Sequence, residues 1–367
     1  MTRFAIDLTA CWRPRVGMVT LALELTAALI ERGQAADFTL LCSRERPAGF
    51  EAPPAVLSPH RHEVANKLLW LPAVEPQLEA GAILYPYWPS PPRRRRGAPP
   101  AVVFVHDLAF RLRPGEVPWQ QRAYLGYVLP RSLSQAAAIV VPSRATRDDL
   151  LAAYRLAEDR VHVVPEAPAR MGDEPGALPA GVQPPFLLSV ATIEPRKNYP
   201  RLVGAYRRLR DELPDAPDLV VVGRTGWAYG NALELLRETP GVRLLGHVDD
   251  STLLALYRSA TALVFPSLYE GFGLPLVEAM REGLPALIGE RGALPEVAAG
   301  AALEVDAEDA DAIAAGMRRL IDDAALRRRL AGEGRARAAG FSWERSGAAV
   351  EEILRSVAAT GSATIAS

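Results

Sequence analysis

At 367 residues, the chain is too long for one ordinary core and about right for two domains. Hydrophobic residues make up 49% and charged residues 23%, which excludes a disordered chain. A formal net charge of -1 gives no global pull toward nucleic acid, so an anionic partner has to be met by a local patch.

The first apolar run, Phe4 to Leu8, predicts a strand. It holds Asp7 within MTRFAIDLTACW, where a secretory signal would stay apolar, so no such signal is read there. Apolar residues at helical spacing over Val19 to Glu31, closed by Gly33, predict a helix, and Phe38 to Cys42 a second strand. The two cysteines, Cys11 and Cys42, form no C-x-x-C pair and lie beside no histidine cluster. Neither a zinc site nor a disulfide framework is expected, and the pair suits a reducing compartment. No stretch approaches the roughly 20 apolar residues of a spanning helix, so a cytoplasmic location is expected.

Further short runs follow at Ala82 to Tyr85, Ala101 to Val105, Ala138 to Val141 and Val161 to Val164. Strands of this kind between helical patterns predict βα units and a parallel sheet. PPRRRRGAPP sets Arg93, Arg94, Arg95 and Arg96 between prolines. Such a run is either a solvated, self-repelling loop or a contact for an anionic membrane surface, here the inner face, or for a phosphate-bearing acceptor.

The segment Met171 to Pro185, MGDEPGALPAGVQPP, interrupts the pattern and is read as a linker. The pattern then restarts. Strands are expected at Phe186 to Ala191, Leu219 to Val222, Val242 to Leu245, Ala262 to Phe265 and Pro285 to Ile288. Helices are expected at Tyr199 to Glu212, Ala232 to Glu238 and Ala310 to Asp322. The expected organisation is therefore α/β: a Rossmann-like domain over 1–170, a linker over 171–185, and a second Rossmann-like domain over 186–340. A last helix opens near Ser342 and is expected to end at 358, before a frayed tail over 359–367.

The segment Phe265 to Met280, FPSLYEGFGLPLVEAM, carries the strongest chemical signal. A strand ends, a turn holds Gly271 and Gly273, and Pro275 suits the first turn of a helix. Free N–H groups at such a helix start favour anions and polar oxygens, and glycines allow close approach to the backbone. Glu270 and Glu278 beside it can accept hydrogen bonds from vicinal hydroxyls, as in a sugar or a ribose. In EPRKN, Arg196 and Lys197 follow a strand and precede a helix. Two cations there suit a diphosphate and would stabilise it as a leaving group. His106 follows the strand AVVFV, at an end of the sheet where side chains face a ligand, and Asp107 follows it. Asp249 and Asp250 are adjacent rather than spaced, so they read as a helix start and not as a metal motif.

EGFGLPLVE, with seven residues between Glu270 and Glu278, resembles the paired-glutamate motif of the retaining glycosyltransferases of family 4. SVATIEPRKNYPRLVGAY is similar to the family's phosphate-binding segment, and RLLGHVDDSTLLALYRSATALVFPS and ALPEVAAGAALEVDAED resemble the stretches flanking the glutamates. The resemblance covers about Phe186 to Arg355. It departs at Thr192, where many relatives carry arginine, and a subset of them has an uncharged residue there. In the first half it is confined to Gly17, in the place of an N-terminal glycine loop, and to His106, in the place of a histidine near the transferred sugar.

The resemblance implies the GT-B fold, two Rossmann-like domains facing across a cleft, with the helix over 341–358 crossing back to the first. It implies transfer of a hexose, mannose in the first place, with retention, from a nucleotide-diphosphate sugar, GDP- or UDP-linked, to a saccharide or lipid-linked acceptor. No metal and no cofactor are implied. Arg196 and Lys197 would neutralise the diphosphate. Glu270 and the N–H groups of Phe272, Gly273 and Leu274 would hold the sugar, Glu278 the ribose, and the backbone near Val248 the base. A sugar-nucleotide epimerase of the same fold and a non-catalytic scaffold are the rival readings. The presence of all four charged site residues weighs against the second.

Overall fold

The computed structural model describes residues 3–11, 17–87, 89–226 and 230–365, with the side chains of 361–365 excepted. The chain divides into two compact units: Met1–Leu108 with Gln120–Ala169 and Ser342–Ser367, and Ala109–Trp119 with Arg170–Phe341.

The first unit is a doubly wound sheet. Its strands are β1 (Phe4–Leu8), β2 (Phe38–Ser43), β3 (Ala55–Ser58), β4 (Ala82–Tyr85), β5 (Ala101–Phe104), β6 (Ala136–Val141) and β7 (Val161–Val163). They lie in the order β3-β2-β1-β4-β5-β6-β7, and all neighbours pair in parallel. Helices cover both faces of such a sheet, so its inner strands are buried throughout and read as unbroken apolar runs. The helices are α1 (Met18–Arg32), the short α2 (Glu63–Ala65) and α3 (Leu71–Val74) on either side of a π-helical stretch, α5 (Trp119–Gln135) and α6 (Arg144–Ala153). Between α3 and α5 lies α4 (Ala109–Leu112), which belongs to the second unit. Ser143 caps α6 by accepting from the Thr146 N–H at 3.0 Å.

Asp7 is the polar exception inside β1. Its carboxylate accepts from the Thr9 hydroxyl at 2.7 Å and from Lys67 Nζ at 2.5 Å, with both charges buried. Lys67 also lies 4.7 Å above the Tyr85 ring, whose hydroxyl donates to Glu75. Glu75 in turn accepts from Arg94 Nε at 2.8 Å. A buried chain of charges thus runs from β1 to the Pro-rich loop, each group with a partner.

The second unit holds β8 (Phe186–Val190), β9 (Asp218–Val222), β10 (Val242–Gly246), β11 (Ala262–Phe265), β12 (Ala286–Gly289) and β13 (Leu303–Val305). Their order is β10-β9-β8-β11-β12-β13, again parallel. The strand order reverses between β8 and β11, the place in an open α/β sheet where ligands bind beyond the strands' carboxyl ends. Its helices are α7 (Tyr199–Glu212), α8 (Ala232–Glu238), α9 (Asp250–Ser259), α10 (Leu274–Glu282), α11 (Leu294–Ala298), α12 (Ala310–Asp322) and α13 (Ala324–Ala338). Asp249 caps α9, accepting from the Thr252 N–H at 2.7 Å, so the adjacent aspartates do open a helix.

The last helix, α14 (Trp343–Ile365), returns to the first unit. It packs on α1, where Gly347 lets the two backbones close: a Cβ there would meet Ala28 Cβ at 3.1 Å. Trp343 Nε1 donates to Pro168 O at 3.0 Å, and Arg32 pairs with Glu351 at 3.1 Å.

Four features differ from the expected organisation. Residues 171–185 are part of the second unit rather than a free linker, and Gly176 N donates to Ser251 O at 2.9 Å. Ala109–Trp119 clusters with the second unit although it lies inside the span expected for the first domain. The helix α14 continues through Ile365 instead of ending at 358, because the alanine-rich stretch past Val357 has no proline to stop it. β3 and β13 were not expected; their partly exposed residues, AVLS and LEV, lack a continuous apolar run.

Candidate active site

The site grows out of two loops at the switch point of the second sheet. The turn after β8 is a single 3-10 turn, Pro195–Lys197, ended by Asn198 in a left-handed conformation (φ 65). The Asn198 amide donates to Pro266 O at 3.1 Å and Ala307 O at 2.6 Å, and Leu268 N donates to Arg196 O at 2.8 Å. The bonds with Pro266 and Leu268 fasten the cation-bearing turn to the loop that follows β11, and the bond with Ala307 ties it to the segment after β13.

That second loop carries Glu270 and then Gly271, Phe272 and Gly273 before α10. Gly273 is the N-cap of α10 with φ 103, a conformation costly for other residues, and a Cβ there would lie 2.5 Å from Leu294 Cδ2. Pro275 occupies the first turn. Among the described residues, the N–H groups of Phe272, Gly273 and Leu274 donate to no acceptor of the chain. They are the open donors of a helix N-terminus. Phe272 is buried and packs edge-on against Phe341 at 5.4 Å, which holds the turn in place.

The charged groups meet on Glu270. Lys197 Nζ lies 2.5 Å from its Oε1 and Arg196 Nη1 lies 3.3 Å from its Oε2. Arg196 Nε is bound on its other side by the buried carboxylate of Glu194. Burial pushes the Glu270 carboxyl up, but Lys197 and Arg196 outweigh it and hold the group below the usual carboxylate range. The Ser267 hydroxyl, fully buried, has no hydrogen-bond partner among the described residues yet lies near enough to Glu270 to favour its charge.

The structure therefore brings Arg196, Lys197 and Glu270 into direct contact, beside Phe272, Gly273 and Leu274 on the same loop. Glu278 lies further along α10, buried, and its Oε2 accepts from Tyr257 on α9 at 2.8 Å. Burial, and then the Glu278 charge, push the Tyr257 hydroxyl well up, so it stays a donor. Val248 stands between β10 and the capping residue of α9. A cavity of about 450 Å³ opens there beyond β8, β9 and β10, lined by Ile193, Gly223, Arg224, Arg237 and His247; Val248 is next to its wall rather than in it.

In the first unit, His106 follows β5 and its ring is fixed at both nitrogens. Nε2 donates to Pro86 O at 2.9 Å, and Nδ1 lies 3.4 Å from Glu166 Oε1. The ring stacks on Phe104 with centroids 5.1 Å apart. Gly17 is the N-cap of α1 with φ 41, and residues 12–16 before it lie outside the described residues.

Glu166 and Glu194 were missed by reasoning on sequence alone. Glu194 stands within EPRKN, and a carboxylate two residues before an arginine was the available signal. Glu166 has no local signal, since its partner is 60 positions away. The reading of Arg93 to Arg96 as one surface is corrected. Arg94 is withdrawn into the pair with Glu75 and donates to Pro99 O at 2.5 Å, because a carboxylate buried in the first unit requires a cation. Arg93, Arg95 and Arg96 remain exposed. Among the described residues no helix is long and apolar enough to cross a membrane, and no three His, Cys, Asp or Glu side chains group as metal ligands.

Comparison with known proteins gives the family and the fold. The family profile described as glycosyl transferases group 1 matches residues 173–337, and that described as glycosyltransferase family 4 matches residues 16–168. The chain is 32% identical over 256 residues to the O-antigen chain mannosyltransferase B of Escherichia coli, covering 66% of this chain and 67% of that protein. It is 32% identical over 259 residues to the MMP alpha-(1->4)-mannosyltransferase of Mycolicibacterium hassiacum, covering 67% of this chain and 62% of that protein. Against the serotype-specific mannosyltransferase WbdA of Escherichia coli, 36% identical over 163 residues, the match spans 20% of that protein. In fold it is similar to the sucrose-phosphate synthase of Thermosynechococcus elongatus, with TM-score 0.77, 20% identity, 98% of this chain and 100% of that one. It is also similar to WaaG, a glycosyltransferase involved in lipopolysaccharide biosynthesis, with TM-score 0.75, 16% identity, 96% of this chain and 99% of that one.

Proposed function

We propose a specific reaction for this chain, which belongs to the glycosyltransferases of family 4 and has their GT-B fold of two Rossmann-like domains: transfer of mannose, with retention, from a nucleotide-diphosphate sugar, GDP-mannose first, to a saccharide or lipid-linked acceptor. The observation that carries the reading is the convergence of Arg196 and Lys197 on Glu270, beside the open N–H groups of Phe272, Gly273 and Leu274. Two cations and a helix N-terminus make a seat for a diphosphate, and a carboxylate at the same place accepts from sugar hydroxyls. The mannosyltransferase names of the relatives support the choice of sugar.

In this reading Arg196 and Lys197 stabilise the departing diphosphate. The acceptor hydroxyl attacks the face that the leaving group vacates and gives its proton to a donor phosphate oxygen. Glu270 orients the sugar and Glu278 accepts from the ribose. The base lies beside Val248 and the cavity next to it, and the family resemblance assigns Gly17 to donor binding and His106 to the transferred sugar. The cations supply the charge that a metal would otherwise bring, so neither metal nor cofactor takes part.

Incubation with GDP-mannose, UDP-glucose and ADP-glucose, each with a mannose-terminated acceptor, tests the donor. Proton NMR of the new anomeric signal tests the stereochemistry. An α-linked mannoside is expected, with initial rates unchanged by EDTA. A β-linked product, or an activity lost to EDTA and restored by Mn²⁺, would overturn the corresponding part of the reading.

A further inference from the structure

The charges proposed for the donor site are paired with one another. Arg196 and Lys197, the two cations suited to a diphosphate, are both engaged by Glu270, the carboxylate suited to the sugar. Each of the two Glu270 oxygens now receives a cation, so sugar hydroxyls would have to share them with Arg196 and Lys197. A diphosphate brought to Arg196 and Lys197 would face a carboxylate in the same place, and like charges so close repel strongly.

The two carboxylates on Arg196 differ in what holds them. Glu194 is extended (φ -147, ψ 159) and precedes Pro195, which restricts its backbone, and its carbonyl accepts from Lys197 N at 3.1 Å. Its side chain is only 2% exposed and grips Nε. Glu270 is followed by Gly271 and Gly273, and its contact with Arg196 is the longer one, 3.3 Å. Of the two carboxylates on Arg196, Glu194 therefore holds it by the closer contact and Glu270 by the longer one.

We infer that Glu270 is the internal counter-ion of the donor site, displaced from Arg196 and Lys197 by the incoming diphosphate and thereby released to the sugar hydroxyls, while Glu194 is the positioning residue that keeps Arg196 in place through the exchange. The inference rests on the donor reading given above. It makes recognition of the sugar conditional on the diphosphate: a free hexose meets a carboxylate that is already occupied.

The test is calorimetric titration with GDP and with UDP of the full chain and its variants at fixed ionic strength. Removal of a carboxylate from a site is usually expected to be neutral or harmful. Here Glu270→Gln, which keeps the shape and loses the charge, tightens binding of the bare nucleoside diphosphate by about threefold or more, since the internal carboxylate no longer competes for the two cations. Glu194→Gln weakens the same binding by about tenfold and raises the donor KM, with the acceptor KM unchanged. Free mannose binds measurably to wild type only when GDP is present. If Glu270→Gln binds nucleotide no more tightly than wild type, the counter-ion role is overturned even if Glu194→Gln does not fold. If neither GDP nor UDP binds wild type, the donor reading fails and this inference with it. If wild type binds and Glu270→Gln does not tighten, the donor reading stands and only the inference falls.

Discussion

Each unit contains a buried cluster of opposite charges, and the two clusters are built for different ends. In the first, Asp7, Lys67, Glu75 and Arg94 gather about Tyr85, with side chains 4%, 1%, 0% and 8% exposed. In the second, Glu194 and Glu270 surround Arg196 and Lys197, and the two cations are 20% and 10% exposed. The first cluster is shut on all sides and its charges are satisfied by one another. The second lies beside a helix start whose N–H groups are unpaired, so it is open to a ligand on one side. Buried charge alone does not mark a site. What marks one is charge with an accessible face and unpaired donors beside it.

The largest expected effect belongs to the closed cluster. Lys67→Met leaves Asp7 buried without its cation, and breaking such a pair costs about 3–5 kcal/mol. Urea unfolding of the variant should show a loss of that order. A loss below about 1 kcal/mol would mean that water reaches Asp7 and that the cluster is not closed.

Next is the open cluster. Lys197→Ala should lower the transfer rate at saturating donor by at least about tenfold, as a cation facing the leaving group is removed. Its unfolding midpoint should move less than that of Lys67→Met. The reverse pattern, full turnover with a large loss of stability, would make the second cluster structural like the first.

Glu278 lies between these cases. Its carboxylate is tied to Tyr257 across two helices, yet it is also the residue proposed for the ribose. Glu278→Gln should weaken nucleotide binding while Tyr257→Phe costs about 1 kcal/mol of stability. Calorimetry on both variants separates the two roles. Unchanged nucleotide affinity in Glu278→Gln would leave this residue only its structural bond.

The same contrast explains which features were legible in the sequence. Strands buried on both faces, such as FLLSV in β8 and ALVF in β11, read as unbroken apolar runs. β3 and β13, at the edges of their sheets, did not. The open cluster could be read because its parts lie in two short segments with recognisable turn chemistry: EPRKN before α7 and EGFGLP before α10. The meeting of those segments, 73 positions apart at Lys197 and Glu270, is a tertiary event. The closed cluster could not be read at all. Asp7 and Lys67 are 60 positions apart, and Arg94 looks like its neighbours Arg93 and Arg95 until the fold shows Glu75 beneath it. A charged residue states what it could pair with, and only the packing decides whether a partner is there.

The smallest effect tests the comparison through pH. Burial pushes the Glu75 carboxyl up, and its bonds to Arg94 and Tyr85 do not fully offset that. For Glu270 the cations win over burial and the carboxyl is held low. The two groups therefore enter the pH dependence of stability with opposite signs. A carboxyl held low contributes stability above its unfolded value of about 4.3, and this is lost as pH falls through the folded value. A carboxyl held high does the reverse: its ionised form is disfavoured in the folded chain, so acidification toward about 4.3 relieves a cost. Replacing Glu270 by Gln should make the loss of stability on acidification below about pH 4.3 shallower, and replacing Glu75 by Gln should lessen the loss that wild type shows as pH rises from about 4.3. Urea unfolding at a series of pH values, from neutral to about one unit below that point, reads both slopes relative to wild type. Slopes that change in the same direction would show that the two clusters hold their carboxylates by the same balance of burial and charge, and the distinction between a closed cluster and an open one would lose its electrostatic basis.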